Sequence, residues 1–154
     1  MTVVRTKIGS TARLVSARTE HISDLLAFLE ELGFLMEPKE LRQRLTNRSR
    51  LSFMLKASSR IIGFFSCLRE SGRWVLDLFV IHPEWRRQGL AKEVVGNLKR
   101  RLNRVPQAYL VAIVPEECLE AQVFLRDGAK LTYLKSLDSR RGRCYLFYYR
   151  KPRR

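Results

Sequence analysis

Between the apolar run VLDLFVI (75–81) and a segment with helical periodicity, residues 82–95 read HPEWRRQGLAKEVV. Arg86, Arg87, Gln88 and Gly89 crowd the junction where a buried strand would hand over to a buried helix. The first N–H groups of a helix lack an intrahelical acceptor, the dipole end there is positive, and a residue without Cβ lets the backbone approach a ligand closely. Arginine adds charge-assisted bonds of about 1.5–3 kcal/mol each. The junction therefore predicts a phosphate cradle over Arg86, Arg87, Gln88, Gly89, Leu90 and Ala91. A helix start with a solvated basic turn is the competing reading. Neither GxxxxGK[ST] nor a GxGxxG after a strand is present, so the commoner nucleotide cradles are excluded. Upstream, Asp77 is the lone acid of an apolar strand. Burial raises the proton affinity of such a carboxylate, which suits a general base, and a half-exposed strand residue is the alternative.

The elements that would position these residues follow from periodicity. Alternation in ARLVSAR (12–18) reads as a first strand, and Thr19 is placed to cap a helix with Ile22, Leu25, Leu26 and Leu29 on one face and Gly33 as its stop. A short helix follows Pro38, with Leu41 and Leu45 on one side. LSFMLKA, IIGFFSCL and WVLDLFVI, separated by SSR and ESGR, read as a three-stranded meander. Leu90, Val94, Leu98 and Leu102 recur at helical spacing until Pro106 stops the pattern. AYLVAIV (108–114) has the continuous apolarity of an interior strand. EECLEAQVFLRD predicts a further helix ending at Gly128, and KLTYLKSL and CYLFYYR two last strands around DSRRG. This order predicts an α/β fold: a mixed, mostly antiparallel sheet of about seven strands flanked by about four helices. The cradle then falls at a strand's carboxyl end, where open α/β sheets bind ligands.

The 154 residues, 45% of them hydrophobic, suffice for one ordinary domain, expected to span 1–154 with a core over about 12–150 and a basic tail over 150–154. No apolar run reaches the length of a membrane helix, and Cys67, Cys118 and Cys144 lack the spacing of a disulfide framework or zinc site. The expectation is a soluble, cytoplasmic protein without membrane or metal partners. Arg5, Lys7, Arg13 and Arg18 precede the first acid, Glu20, which admits a transit peptide, although ARLVSAR reads as a strand. His21 and His82 are expected at the surface, and the aromatic run YLFYY inside a sheet. A net charge of +15 draws polyanions over about a Debye length, about 8 Å, so RNA, a ribosome, an acidic protein or an anionic cofactor fit as partners.

Arg86-Arg87-Gln88-Gly89-Leu90-Ala91 resembles the [QR]-x-x-G-x-[GA] signature of the GCN5-related N-acetyltransferases (GNAT), here after the third meander strand and before a helix. ECLEAQVFLRDGA is similar to that family's N-x-x-A-x-x-[FL]-Y-x-x-x-G-[FA] segment, and the resemblance covers about 12–150. It implies an enzyme that transfers acetyl from acetyl-coenzyme A to a primary amine, with a sheet splayed between its fourth and fifth strands. The pyrophosphate would lie on the amides of residues 86–91, and the pantetheine arm would pair with the backbone of Phe79, Val80 and Ile81. Asp77 stands where polyamine-type members carry a glutamate. The family's asparagine falls on Cys118 or Glu117, and its tyrosine, the usual general acid, on Leu125 or Phe124, which hold no proton; Tyr133 and Tyr145 are nearby alternatives, with packing as their competing role. The acceptor implied is a protein N-terminus or lysine, ribosomal ones included, or a small amine, and a homodimer is compatible. The alternative class is an acyl-coenzyme A-binding or nucleic-acid-associated module with weakened catalysis.

Overall fold

In the computed structural model, residues 5–8, 12–70, 72–140 and 142–150 are described, with side chains from Ala12 onward. The tail Lys151, Pro152, Arg153 and Arg154, read as a basic end, lies outside the described residues. The strands are β1 (Arg5–Ile8), β2 (Ala12–Ser16), β3 (Arg50–Ala57), β4 (Arg60–Glu70), β5 (Arg73–Ile81), β6 (Tyr109–Pro115), β7 (Thr132–Ser139) and β8 (Gly142–Arg150). The helices are α1 (Ile22–Glu31), α2 (Pro38–Thr46), α3 (Leu90–Leu102) and α4 (Leu119–Val123). One mixed sheet has the order β1-β2-β3-β4-β5-β6-β8-β7. It holds the expected strands and one more at its edge, β1, paired antiparallel to β2. The β5/β6 pair is parallel, and its register runs from Arg73↔Tyr109 to Leu76↔Ala112. Beyond Leu76 the two strands share no register, although β5 continues to Ile81 and β6 to Pro115, which is the expected split.

Contacts divide the chain into two compact units, residues 1–67 with 78–91 and residues 68–77 with 92–154. In the first, Ile22, Leu25, Phe28 and Leu29 of α1 pack with Leu41 of α2, Met54 of β3, Phe64 of β4 and Val80 of β5. The helical face read from the sequence is this buried face, with Phe28 in addition and Leu26 only partly buried. Thr19 does not cap α1; it opens a 3-10 turn, Thr19–His21, in which Arg18 N–H donates to His21 Nδ1 at 2.9 Å. Gly33 does stop the helix: at φ +82 it places its own N–H on Glu30 O and that of Phe34 on Leu29 O, a Schellman closure.

The second unit contains α3, whose Val94, Val95, Leu98 and Leu102 are buried at helical spacing. Its basic last turn, Lys99, Arg100 and Arg101, complements the helix dipole. The β7–β8 hairpin is longer than read, since Asp138, Ser139 and Gly142 join the strands. The helix expected over EECLEAQVFLRD is shorter and wider than a regular helix. It starts only at Leu119, because Cys118 N–H bonds Pro115 O in a turn and the Gln122 amide ties back to the carbonyls of Pro115 and Glu116. It then widens into a π-turn, Phe124–Gly128, closed by Ala129 N–H on Phe124 O at 2.8 Å. Gly128 serves packing there: a Cβ on it would lie 2.9 Å from the Phe124 ring.

Leu41 is the one buried residue of α2 and is fully buried. Leu41→Ala leaves a cavity under that helix and should destabilise the fold by about 2–5 kcal/mol, read as a lower urea midpoint at unchanged slope.

Candidate active site

The junction begins where β5 ends. Val80 and Ile81 are buried and Phe79 is half-buried, with Val80 and Leu78 packed on the α1/α2 core. Strand alternation therefore turns Asp77, Phe79 and Ile81 to the other face of β5. Asp77 is half-buried and immediately follows the last residue in register with β6.

His82 follows, and the structure corrects its sequence reading: it is 7% exposed. Its N–H donates to Ile62 O at 2.8 Å, and its Nδ1 accepts from Glu84 N–H at 3.2 Å, which starts a 3-10 turn over Pro83–Trp85. Its Nε2 lies 3.3 Å from both Glu31 Oε1 of α1 and Arg60 Nη2. Arg60 completes the cluster within 3.9 Å of both Glu31 and Glu84. His82, Arg60 and Glu31 thus fasten the strand end to α1. A histidine directly before Pro-Glu, in a capping position, was the only sequence signal for it.

The loop's carbonyls are consumed internally. Ile81 O accepts from Arg86 Nε at 2.9 Å, His82 O from Trp85 N–H at 2.8 Å, Pro83 O from Arg86 N–H at 3.3 Å and Glu84 O from Gln88 Nε2 at 3.4 Å. The amides of Arg87, Gln88 and Gly89 donate to no acceptor among the described residues, and all three residues are exposed. Arg87 at φ 62 and Gly89 at φ 77 both lie in the left-handed region, and alternation of backbone handedness is the conformation in which successive N–H groups can converge. A non-glycine residue in that region costs about 1–2 kcal/mol, so Arg87 holds strain at the centre of the loop. Leu90, 5% exposed, pins the start of α3, whose free N–H groups continue the row. The side chains divide the work: Arg86 braces β5 through its Nε, and Arg87 points its charge to solvent.

Residues 79–81 and 86–91 lie together in the first unit, while Asp77 belongs to the second. Also in the second unit, Leu125 is fully buried and Phe124 covers Gly128, so the segment aligned with the family's tyrosine offers no proton donor. Tyr133 and Tyr145 pack edge to face at 5.9 Å, Tyr133 against Phe147 at 5.8 Å, and the Tyr145 hydroxyl donates to Glu116 Oε1 at 3.5 Å. Among the described residues, no three His, Cys, Asp or Glu side chains are arranged to hold a metal ion.

The sequence profile of the acetyltransferase (GNAT) domain matches residues 16–121. No curated protein gives a significant match. Among solved structures, the chain is similar to the Salmonella typhimurium acetyl transferase that modifies the N-terminal serine of 50S ribosomal subunit protein L7/L12, with a TM-score of 0.76 at 9% identity over 95% of this chain and 98% of that one. It is similar to the Escherichia coli ribosomal-protein-S18-alanine N-acetyltransferase, with a TM-score of 0.71 at 16% identity over 89% and 90%. It is also similar to Arabidopsis thaliana Naa50 in complex with the bisubstrate analogue CoA-Ac-MVNAL, with a TM-score of 0.75 at 12% identity over 92% and 99%. At such identities the likeness is one of fold.

His82→Ala removes the brace between α1 and the loop while leaving residues 86–91 untouched. Stability should fall by about 1–3 kcal/mol, and hydrogen exchange should quicken at Glu84, Trp85 and Arg86 well before it does in α1.

Proposed function

Because the chain belongs to the acetyltransferase (GNAT) family, we propose that it transfers the acetyl group of acetyl-coenzyme A to a primary amine by direct attack, as one domain spanning 1–154. The observation that supports this reading is the run of exposed residues Arg87, Gln88 and Gly89 at the head of α3, whose amides meet no acceptor among the described residues and so suit a pyrophosphate. Arg86, Leu90 and Ala91 complete the cradle, Arg87 adds its guanidinium, and the backbone of Phe79, Val80 and Ile81 takes the pantetheine arm. Asp77 accepts one proton of the substrate ammonium. The neutral amine nitrogen then forms a bond to the thioester carbon, the carbon–sulfur bond breaks, and the second proton shed by that nitrogen passes through water to the leaving thiolate. A thiol with a pKa near 8.5 leaves as the anion with modest help, so the loss of a donor at Phe124 and Leu125 slows the step without forbidding it.

The acceptor we favour is a protein N-terminus or lysine, on an acidic partner or on a ribosomal protein reached through RNA, ahead of a small amine. A field of +15 repels a free polyamine and draws an anionic partner. Folds similar to this one include enzymes whose stated substrates are ribosomal proteins. Cys67, Cys118 and Cys144 form no disulfide among the described residues, which suits the reducing cytoplasm, and a homodimer is compatible with the reading. The second reading, an acyl-coenzyme A-binding or nucleic-acid-associated module, is favoured by one observation: buried Leu125 and packed Phe124 where an acid would stand.

Gly89→Glu puts a carboxylate and a side chain at φ 77, where nothing lies within 4 Å of the new Cβ. It should abolish acetyl-coenzyme A binding in calorimetry at a folding cost of only about 1–2 kcal/mol, and unchanged affinity removes the cradle. Asp77→Asn should lower the rate by about a hundredfold with cofactor affinity retained, as loss of a general base does. Full activity of that variant across pH returns Asp77 to a structural role. Turnover assayed over amines and peptides beside acetyl-coenzyme A binding separates the enzyme from the binding module.

A further inference from the structure

The second unit carries an aromatic and basic surface that the acetyl-transfer reading does not use. Registers in β5, β6, β7 and β8 align two rows of side chains on one face of the sheet, because directly paired residues point the same way. The first row is Arg73↔Tyr109↔Arg150, and the second is Val75↔Val111↔Tyr148↔Thr132. At the Tyr109, Thr132 and Arg150 end of these strands lies a cavity of about 440 Å³, lined by Tyr109, Lys130, Thr132, Leu134, Tyr148 and Arg150 together with Tyr149, and no acid is among its lining residues.

Each group is available to a ligand in a way its neighbours are not. The adjacent Tyr149 projects to the opposite face, where its hydroxyl donates to Asn103 Oδ1 at 3.2 Å and Lys99 Nζ sits 4.5 Å from its ring centroid. This anchors the end of β8 from behind. Tyr109 and Tyr148 are half-buried, and their hydroxyls make no hydrogen bond among the described residues. Lys130 and Arg150 are exposed and form no ion pair among them. Arg73 is engaged by Glu70 and contributes less.

Two rings on a sheet face and two exposed cations, Arg150 and Lys130, the latter within electrostatic reach of Asp127, around a cavity that no carboxylate lines, match a ligand that alternates flat bases with phosphates. An acidic peptide would use the cations and leave the tyrosines idle; duplex offers no exposed base faces. We infer that this face binds single-stranded RNA, with bases stacked on Tyr148 and Tyr109, phosphates held by Arg150 and Lys130, and the Thr132 hydroxyl within the same cavity for a ribose 2′-hydroxyl. The net charge of +15 supports the same partner. The inference deepens the RNA-bearing partner proposed above, yet it uses no residue of the cofactor cradle.

The test is fluorescence anisotropy of a labelled oligouridylate against the full chain at about 50 mM salt. Tyr148→Ala and Tyr109→Ala should each weaken binding about tenfold or more with the salt slope unchanged, and Tyr148→Phe should stay within about twofold of the parent chain. Lys130→Gln and Arg150→Gln should each make the log-log salt slope shallower by about 0.7. Acetyl-coenzyme A affinity should be the same in all five variants, so loss of RNA binding and failure of the acetyl-transfer reading are separate outcomes. Should a Tyr→Ala variant lower the thermal midpoint, the exposed Lys130 and Arg150 variants decide. Absent binding by the parent chain, unchanged affinity in those variants, displacement by uridine monophosphate at equal nucleotide concentration, or tighter binding of duplex overturns the inference.

Discussion

A backbone N–H without an acceptor is costly unless it faces water or a ligand, and Arg87, Gln88 and Gly89 present three in succession. The surrounding contacts leave those donors without a partner among the described residues. The four preceding carbonyls are drawn into the loop's own bonds, so no acceptor swings round to quench the row. Burial of Val80, Ile81 and Leu90 clamps both ends of the segment in apolar contacts. The imidazole of His82, held between Glu84 N–H and Glu31, stops the strand end from rotating. On the acetyl-transfer reading proposed above, preorganisation of this kind would let a pyrophosphate bind without ordering the loop first, which is where flexible anion sites lose affinity.

The opposite economy governs the segment after β6. Its π-turn spends residues on packing: Leu125 is sealed in the interior and Phe124 lies over Gly128, which must lack a Cβ for the ring to fit. A phenol at either place would have to find space or a partner in this turn. On the acetyl-transfer reading proposed above, the chemistry would be left to the leaving ability of a thiolate and to the group that accepts the amine's proton.

Strand β8 shows how one stretch of aromatic sequence acquires two uses. Tyr145 and Phe147 pack against Tyr133, and Tyr149 is held by Lys99 and Asn103, all on one face. Burial also lowers the proton affinity of Lys99, a charge half withdrawn from water. Tyr148 turns the other way, into the row with Thr132 and beside Tyr109 and Arg150.

The order of elements, the faces of α1 and α3, the strand-to-helix junction over residues 86–91 and the absence of a proton donor at Phe124 and Leu125 were all legible in the sequence, because each rests on periodicity or on residue types adjacent in the chain. The buried state of His82 was not, since Ile62 and Glu31, its partners, lie 20 and 51 residues away in sequence. The true start of α4 and its π-turn were hidden because apolar spacing reports which face is buried and not which carbonyl each N–H reaches. The direction of the loop's amides and the alignment of Arg73, Tyr109 and Arg150 likewise came only from the fold. Register between strands distant in the chain is set by long-range pairing, and a one-residue slip would send every one of those side chains to the other face.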